Sequence, residues 1–169
     1  DFESALREKI VPLREESIDE KYLNNHGHTV EVPEQLFFEG YVYGRDNLLY
    51  KVLKNEDVAS SRYRTTKLFL TQKGLYTVIN DFSLTDGDST RNAQMISYTS
   101  IKGASIEREE YSVKVGKNTR RVKMCYLVIH TDNEEIKIPK HDDAFVEEYA
   151  EELVKKFTKV ANSAAQQNT

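Results

Sequence analysis

The chain has no tryptophan, one cysteine and three prolines in 169 residues, and each scarcity removes a class of structure. A single cysteine, Cys125, forms no intrachain disulfide, so the fold rests on its core and not on covalent staples. Its place among apolar neighbours in a strand pattern reads as a buried structural thiol. No apolar run approaches the roughly 20 residues of a membrane-spanning helix. Basic residues are not in excess: 24 Lys and Arg against 28 Asp and Glu leave a formal charge of −4. Nucleic-acid binding needs a concentrated basic face, so that partner is not expected. G-x-S-x-G, P-loop, H-E-x-x-H and Rossmann glycine patterns are all missing, and the expectation is a non-enzyme without a cofactor. No secretory signal is visible. The first residue is Asp1 and not Met, which leaves removal of a leader or anchor open; the expected location is cytoplasmic or membrane-peripheral.

What is present is aromatic and β-branched. Ten tyrosines, seven phenylalanines and an apolar share of 38% suit half-buried strands. A chain of this length buries about two-thirds of its unfolded surface, enough for one domain with an added element.

Residues 2–23 carry Leu6, Ile10 and Leu13 at helical spacing, and Pro12 is expected to split or kink that helix. The tract Asn24-Asn25-His26-Gly27-His28 breaks it. Residues 36–43 read as a strand, followed by a turn at Gly44-Arg45-Asp46-Asn47. The stretch from Leu48 to Val58 fits a helical stripe better than a second hairpin arm. From Arg62 onward the pattern is β. Residues 62–71 and 75–80 flank Gln72-Lys73-Gly74, where the glycine is expected to supply a positive φ. A polar loop, residues 81–91, precedes an alternating strand over residues 95–106 with a bulge near Gly103. Tyr111, Val113 and Val115 form the next strand. Gly116-Lys117-Asn118 turns the chain into residues 122–130, apolar on both faces and therefore central. Ile136 and Ile138 mark the last strand, which Pro139 ends. Asp142 and Asp143 start a helix whose stripe is Phe145, Tyr149, Leu153 and Phe157.

These residues carry a resemblance. The hairpin pattern L-x-L-T-x-x-x-L at Leu68, Leu70, Thr71 and Leu75 is followed by I-x-Y-x-x-I at Ile96, Tyr98 and Ile101. With a closing hairpin and one helix, it resembles the pleckstrin-homology-like (PH-like) superfold in its bacterial and GRAM-like versions. The resemblance covers about residues 60–160. It implies an α+β fold: a bent antiparallel β-sandwich or partly open barrel of about seven strands capped by one C-terminal helix. Residues 1–30 form an N-terminal helical extension, residues 31–162 the domain and residues 163–169 a flexible tail. It also implies a binding module for lipid headgroups, peptides or self-assembly. The K-x(n)-[KR]-x-R pattern of phosphoinositide-binding members is absent between Leu36 and Lys54.

Two basic groups stand out: Arg62, Arg64 and Lys67, and Lys117, Arg120 and Arg121 with Lys123. Brought together by hairpin loops they would hold an anionic group; otherwise they are solvated strand edges that discourage aggregation. His26-x-His28 is half a metal site at most and reads as a polar loop. Asp81, Asp86 and Asp88 lack the EF-hand register and read as loop solubility. The apolar N-terminal face must be covered either by the domain itself or by a second chain. The functional expectation is a protein-interaction or assembly module that acts on a protein partner or on itself. The alternative is a peripheral membrane module that binds anionic lipid through its basic hairpin loops.

Overall fold

A computed structural model of the chain describes residues 2–18, 34–140, 151–152, 154–159 and 162. Its elements are α1 (Phe2–Glu15), β1 (Glu34–Tyr41), β2 (Tyr50–Val52), β3 (Val58–Ser60), β4 (Arg62–Leu70), β5 (Leu75–Ser83), β6 (Ser89–Ile96), β7 (Ile101–Val115), β8 (Asn118–Thr131) and β9 (Glu135–Lys140). Residues 151–152 and 154–159 are helical. The class is α+β. The expected helix start at Asp142 and Asp143, the stripe positions Phe145, Tyr149 and Leu153, the His26–His28 tract and the tail lie outside the described residues.

All strand pairs are antiparallel, in three sheets ordered β1-β4-β5-β6, β2-β3 and β7-β8-β9. Among the described residues they close no barrel. Nine described strands replace the expected seven, and the differences have local causes. Leu48 to Val58 is a short hairpin, β2 and β3, and not a helix. Leu49 is 67% exposed while Leu53 packs against the core, so the residues that suggested one helical stripe do not share a buried face. Tyr50 instead stacks on Tyr43 with ring centroids 6.2 Å apart. The polar loop ends at Asp88, because residues 89–96 pair with β5 as an exposed edge strand. A tight turn at Tyr98–Ser100 interrupts the strand expected over residues 95–106. Beyond it β7 runs unbroken to Val115, with the bulge at Gly103 as expected.

Two turns show what their glycines do. Gly116 has φ 63° at the first position of the two-residue β7–β8 loop, where a II′-type hairpin needs glycine. Gly74 has no positive φ, contrary to expectation. A Cβ there would lie 2.4 Å from the Ile96 carbonyl oxygen, so the residue is required by close approach. Thr71 closes that turn: its Oγ1 accepts from the Gly74 amide at 3.1 Å.

The larger sheets share one core. Phe38, Leu68, Leu75 and Ile96 from the four-stranded sheet meet Cys125, Leu127, Ile129, Ile136 and Ile138 from the three-stranded one, and Phe157 joins the same cluster. A second core joins Leu6 and Ile10 of α1 to Tyr63, Phe82, Val113, Val122, Met124 and Val128. β8 faces the first core with Cys125, Leu127 and Ile129 and the second with Met124, Tyr126 and Val128. Its double-sided apolar run therefore belongs to the central strand of its sheet, as expected. Pro139 does not end the sheet; it pairs with Tyr126 inside the edge strand β9, a place where the missing N–H is tolerated.

α1 is one helix to Glu15 with Pro12 inside it, so the expected split does not occur. Leu6 and Ile10 are buried in the chain's own second core, which answers what covers the N-terminal face. Each such burial contributes about 1.5–3 kcal/mol. Among the described residues no helix is long and apolar enough to cross a membrane.

Candidate functional site

The six basic residues singled out in the sequence fall in three places. Lys67, on β4, is 4% exposed. Its ammonium donates to the Arg14 and Glu16 carbonyls at the end of α1. Helix C-termini leave carbonyls without intrahelical donors, and a cation is favoured there. Burial pulls the Lys67 pKa below its ordinary value, opposed by Glu16 and Glu15. Lys67 therefore anchors α1 and is not open to a ligand.

Arg62 and Arg64 come together. β4 and β5 pair so that Arg64 lies directly across from Asp81, where opposite charges stabilise a sheet. Arg64 Nη2 donates to Asp81 Oδ2 at 2.8 Å. Arg45 Nη2 reaches the same oxygen at 3.1 Å, and Arg62 Nε donates to Oδ1. Arg62 Nη1 also donates to Asp88 at 2.9 Å. The Asp81 side chain is 6% exposed. Burial pushes its pKa up, but the hydrogen bonds from Arg64 and Arg62 together outweigh it, and the carboxyl titrates below the ordinary aspartate value. Asp81 and Asp88 are thus ion-pair partners as well as polar loop residues.

Arg45 and Arg64 of this cluster line a cleft of about 190 Å³ at the end of β1 and β9. Gly40 lies beside Pro139, where an added Cβ would stand 3.5 Å from the Pro139 Cβ. Tyr41, Tyr43, Tyr111 and Tyr126 line the cleft, and Arg45, Arg64 and Lys137 reach it. Tyr43 stacks on Tyr111 at 5.9 Å. The Tyr111 and Tyr126 hydroxyls are 2.9 Å apart, and Tyr111 donates to Glu109. Lys137 bonds Glu109 and lies 4.4 Å from the centre of the Tyr126 ring, a favourable cation–π geometry. Burial raises the pKa of Tyr43, Tyr111 and Tyr126, so these phenols stay protonated at neutral pH. The arrangement offers guanidinium N–H donors between aromatic walls.

Lys117, Arg120 and Arg121 form the third place, the tip of the β7–β8 hairpin. Residues 114–123 hold five exposed cations (Lys114, Lys117, Arg120, Arg121 and Lys123) and no carboxylate. Their ion pairs are loose: Arg120 lies 3.9 Å from Glu56 and Arg121 3.6 Å from Glu110. Exposed pairs of this kind contribute about 0–1 kcal/mol.

Sequence reasoning missed the cleft's Arg45 and Lys137 and a polar array on the three-stranded sheet. Ser105 Oγ lies 2.8 Å from His130 Nε2, and His130 Nδ1 lies 3.2 Å from Glu135. The connectivity is that of a nucleophile, a base and an orienting carboxylate. Its carboxylate is 62% exposed, so water screens the array, which reads as a surface network. His130 and Glu135 are direct cross-strand partners, and no sequence signal marks them. Cys125 is buried. Among the described residues no three His, Cys, Asp or Glu side chains gather as metal ligands.

No protein-family model matches the chain, and no curated protein or solved structure does.

Proposed function

We propose that the chain is a non-enzymatic binding module of PH-like type, used for protein–protein interaction or assembly. The observation that carries this reading is β6. It pairs with β5 on one side only among the described residues, and its first five residues are exposed. Such an edge presents backbone donors and acceptors to an extended partner strand. The order of the sheets and the helical Phe157 in their shared core support the PH-like assignment.

Asn92 and Ala93 are neighbours on β6, so the N–H of one points away from β5. Proline placed at each in turn separates the two roles. At the outward position the fold survives and association is lost, whether with a second copy or with a strand-forming peptide. Sedimentation velocity over a concentration series reads self-association, and β6 amide shifts read the peptide. A chain that stays monomeric and whose β6 amides ignore every peptide would sink the reading.

The hairpin tip favours a second reading, a peripheral contact with anionic lipid. Co-sedimentation with phosphatidylglycerol vesicles at low and physiological salt tests it. Salt-sensitive binding that is abolished by R120E/R121E supports it, and no binding at either salt retires it.

A further inference from the structure

Among the described residues, the ion-pair cluster beside the cleft between β1 and β9 is not balanced in charge. Three guanidiniums, Arg45, Arg62 and Arg64, face two carboxylates, Asp81 and Asp88, which leaves one net positive charge. Lys137 is neutralised by Glu109. The surplus lies beside the cleft, because Arg45 and Arg64 line it. Their side chains are 44% and 25% exposed, so both are reachable from solvent while their bonds to Asp81 hold them in place. A guanidinium already fixed by a buried carboxylate loses little freedom when it takes up a second acceptor.

Size narrows the ligand. Small-molecule and cofactor sites hold about 300–1,000 Å³, whereas this cleft holds about 190 Å³. It has room for one side chain and not for a cofactor. A single surplus charge matches one monoanionic group, and a dianionic phosphate would be left half-compensated. The ring pair Tyr43–Tyr111 adds an apolar wall for the methylenes of the entering side chain. A central pocket that accepts one anchoring side chain is how an interface concentrates its binding energy.

We infer that this cleft is the specificity pocket of the interaction module and receives one carboxylate, from a glutamate, an aspartate or the chain end of an acidic extended partner segment. The inference rests on the protein-interaction reading and adds the partner's chemistry to it. Arg45 and Arg64 donate to the incoming carboxylate.

The test is a titration of the full-length, isotope-labelled chain, followed by backbone amide shifts. The probes are a short extended peptide alternating glutamate and valine, its glutamine counterpart, inorganic phosphate, and phosphatidylglycerol vesicles. The glutamate peptide should move the amides of Tyr43, Arg45 and Lys137. Its affinity should fall about tenfold in R45Q and about as much for the glutamine peptide, the loss of one charge-assisted hydrogen bond. The R45Q spectrum itself reports that the fold is kept. Equal affinity for the two peptides, an unchanged R45Q, or preferential binding of phosphate or vesicles at these amides would overturn the assignment. A response at β6 without one at the cleft overturns this inference and leaves the strand-edge reading standing. A response at the cleft alone overturns the strand-edge reading, and silence at both overturns both.

Discussion

Replacing Phe157 by alanine is expected to destabilise the chain by about 3–5 kcal/mol, the usual range for removing a buried phenylalanine. Phe157 is 1% exposed and touches the core that the four- and three-stranded sheets share. Among the described helical residues near the C-terminus, Phe157 is buried in that core and Val154 packs against it. Truncation removes the transfer energy of the ring and leaves a cavity that rigid strands on both sides cannot collapse into. Domain stabilities are about 5–15 kcal/mol, so the loss is a large share of the total. Urea unfolding at neutral pH measures it. A midpoint shift worth less than about 1 kcal/mol would mean that the helix does not close the core, and the PH-like proposal would lose its main support.

Asp81→Asn is expected to destabilise by about 2–3 kcal/mol, below the range for breaking a fully buried pair because its arginine partners are partly exposed. The amide keeps the shape but leaves three guanidiniums around a neutral group. The effect is pH-dependent, with a definite sign. The folded Asp81 carboxyl titrates below its unfolded value. The stabilisation is therefore present above the unfolded value of about 4 and is lost as pH falls through the depressed one. The gap between wild type and D81N should be widest at neutral pH and close in acid. A gap that stays constant down to about pH 3 would show that the substitution acts through packing and not through charge.

The sequence made the centre of this fold legible where local pattern and tertiary role agree. The run from Val122 to His130 alternates between two buried faces, so no competing element fits it. Leu70 and Leu75 flank a short turn, and counting outward from that pair places Asp81 across from Arg64. The arginine cluster was thus readable in principle. Reading Arg62 and Arg64 as a candidate anion site left out the acid that stands opposite, Asp81, which fixes both guanidiniums. β2 and β3 were misread because a window of a few apolar residues fits both periods, and the stacking of Tyr50 on Tyr43 decides the matter from a distance. β6 was read in part as a loop because an exposed edge strand buries too little to show alternation. Lys67 looked like surface charge because nothing local shows that a helix end sits above it. Arg45 and Lys137 come from opposite ends of the domain sequence, and only the meeting of β1 with β9 makes them neighbours.

The two buried faces of β8 bear on how the molecule comes apart. One strand supplies the packing surface of both cores, so neither can melt while the other keeps its native neighbours. α1, though it lies outside the recognisable part of the pattern, is tied into the same transition through Leu6 and Ile10. α1 and the sheets are therefore expected to unfold as a single cooperative unit, with the middle of that shared strand the slowest point to open.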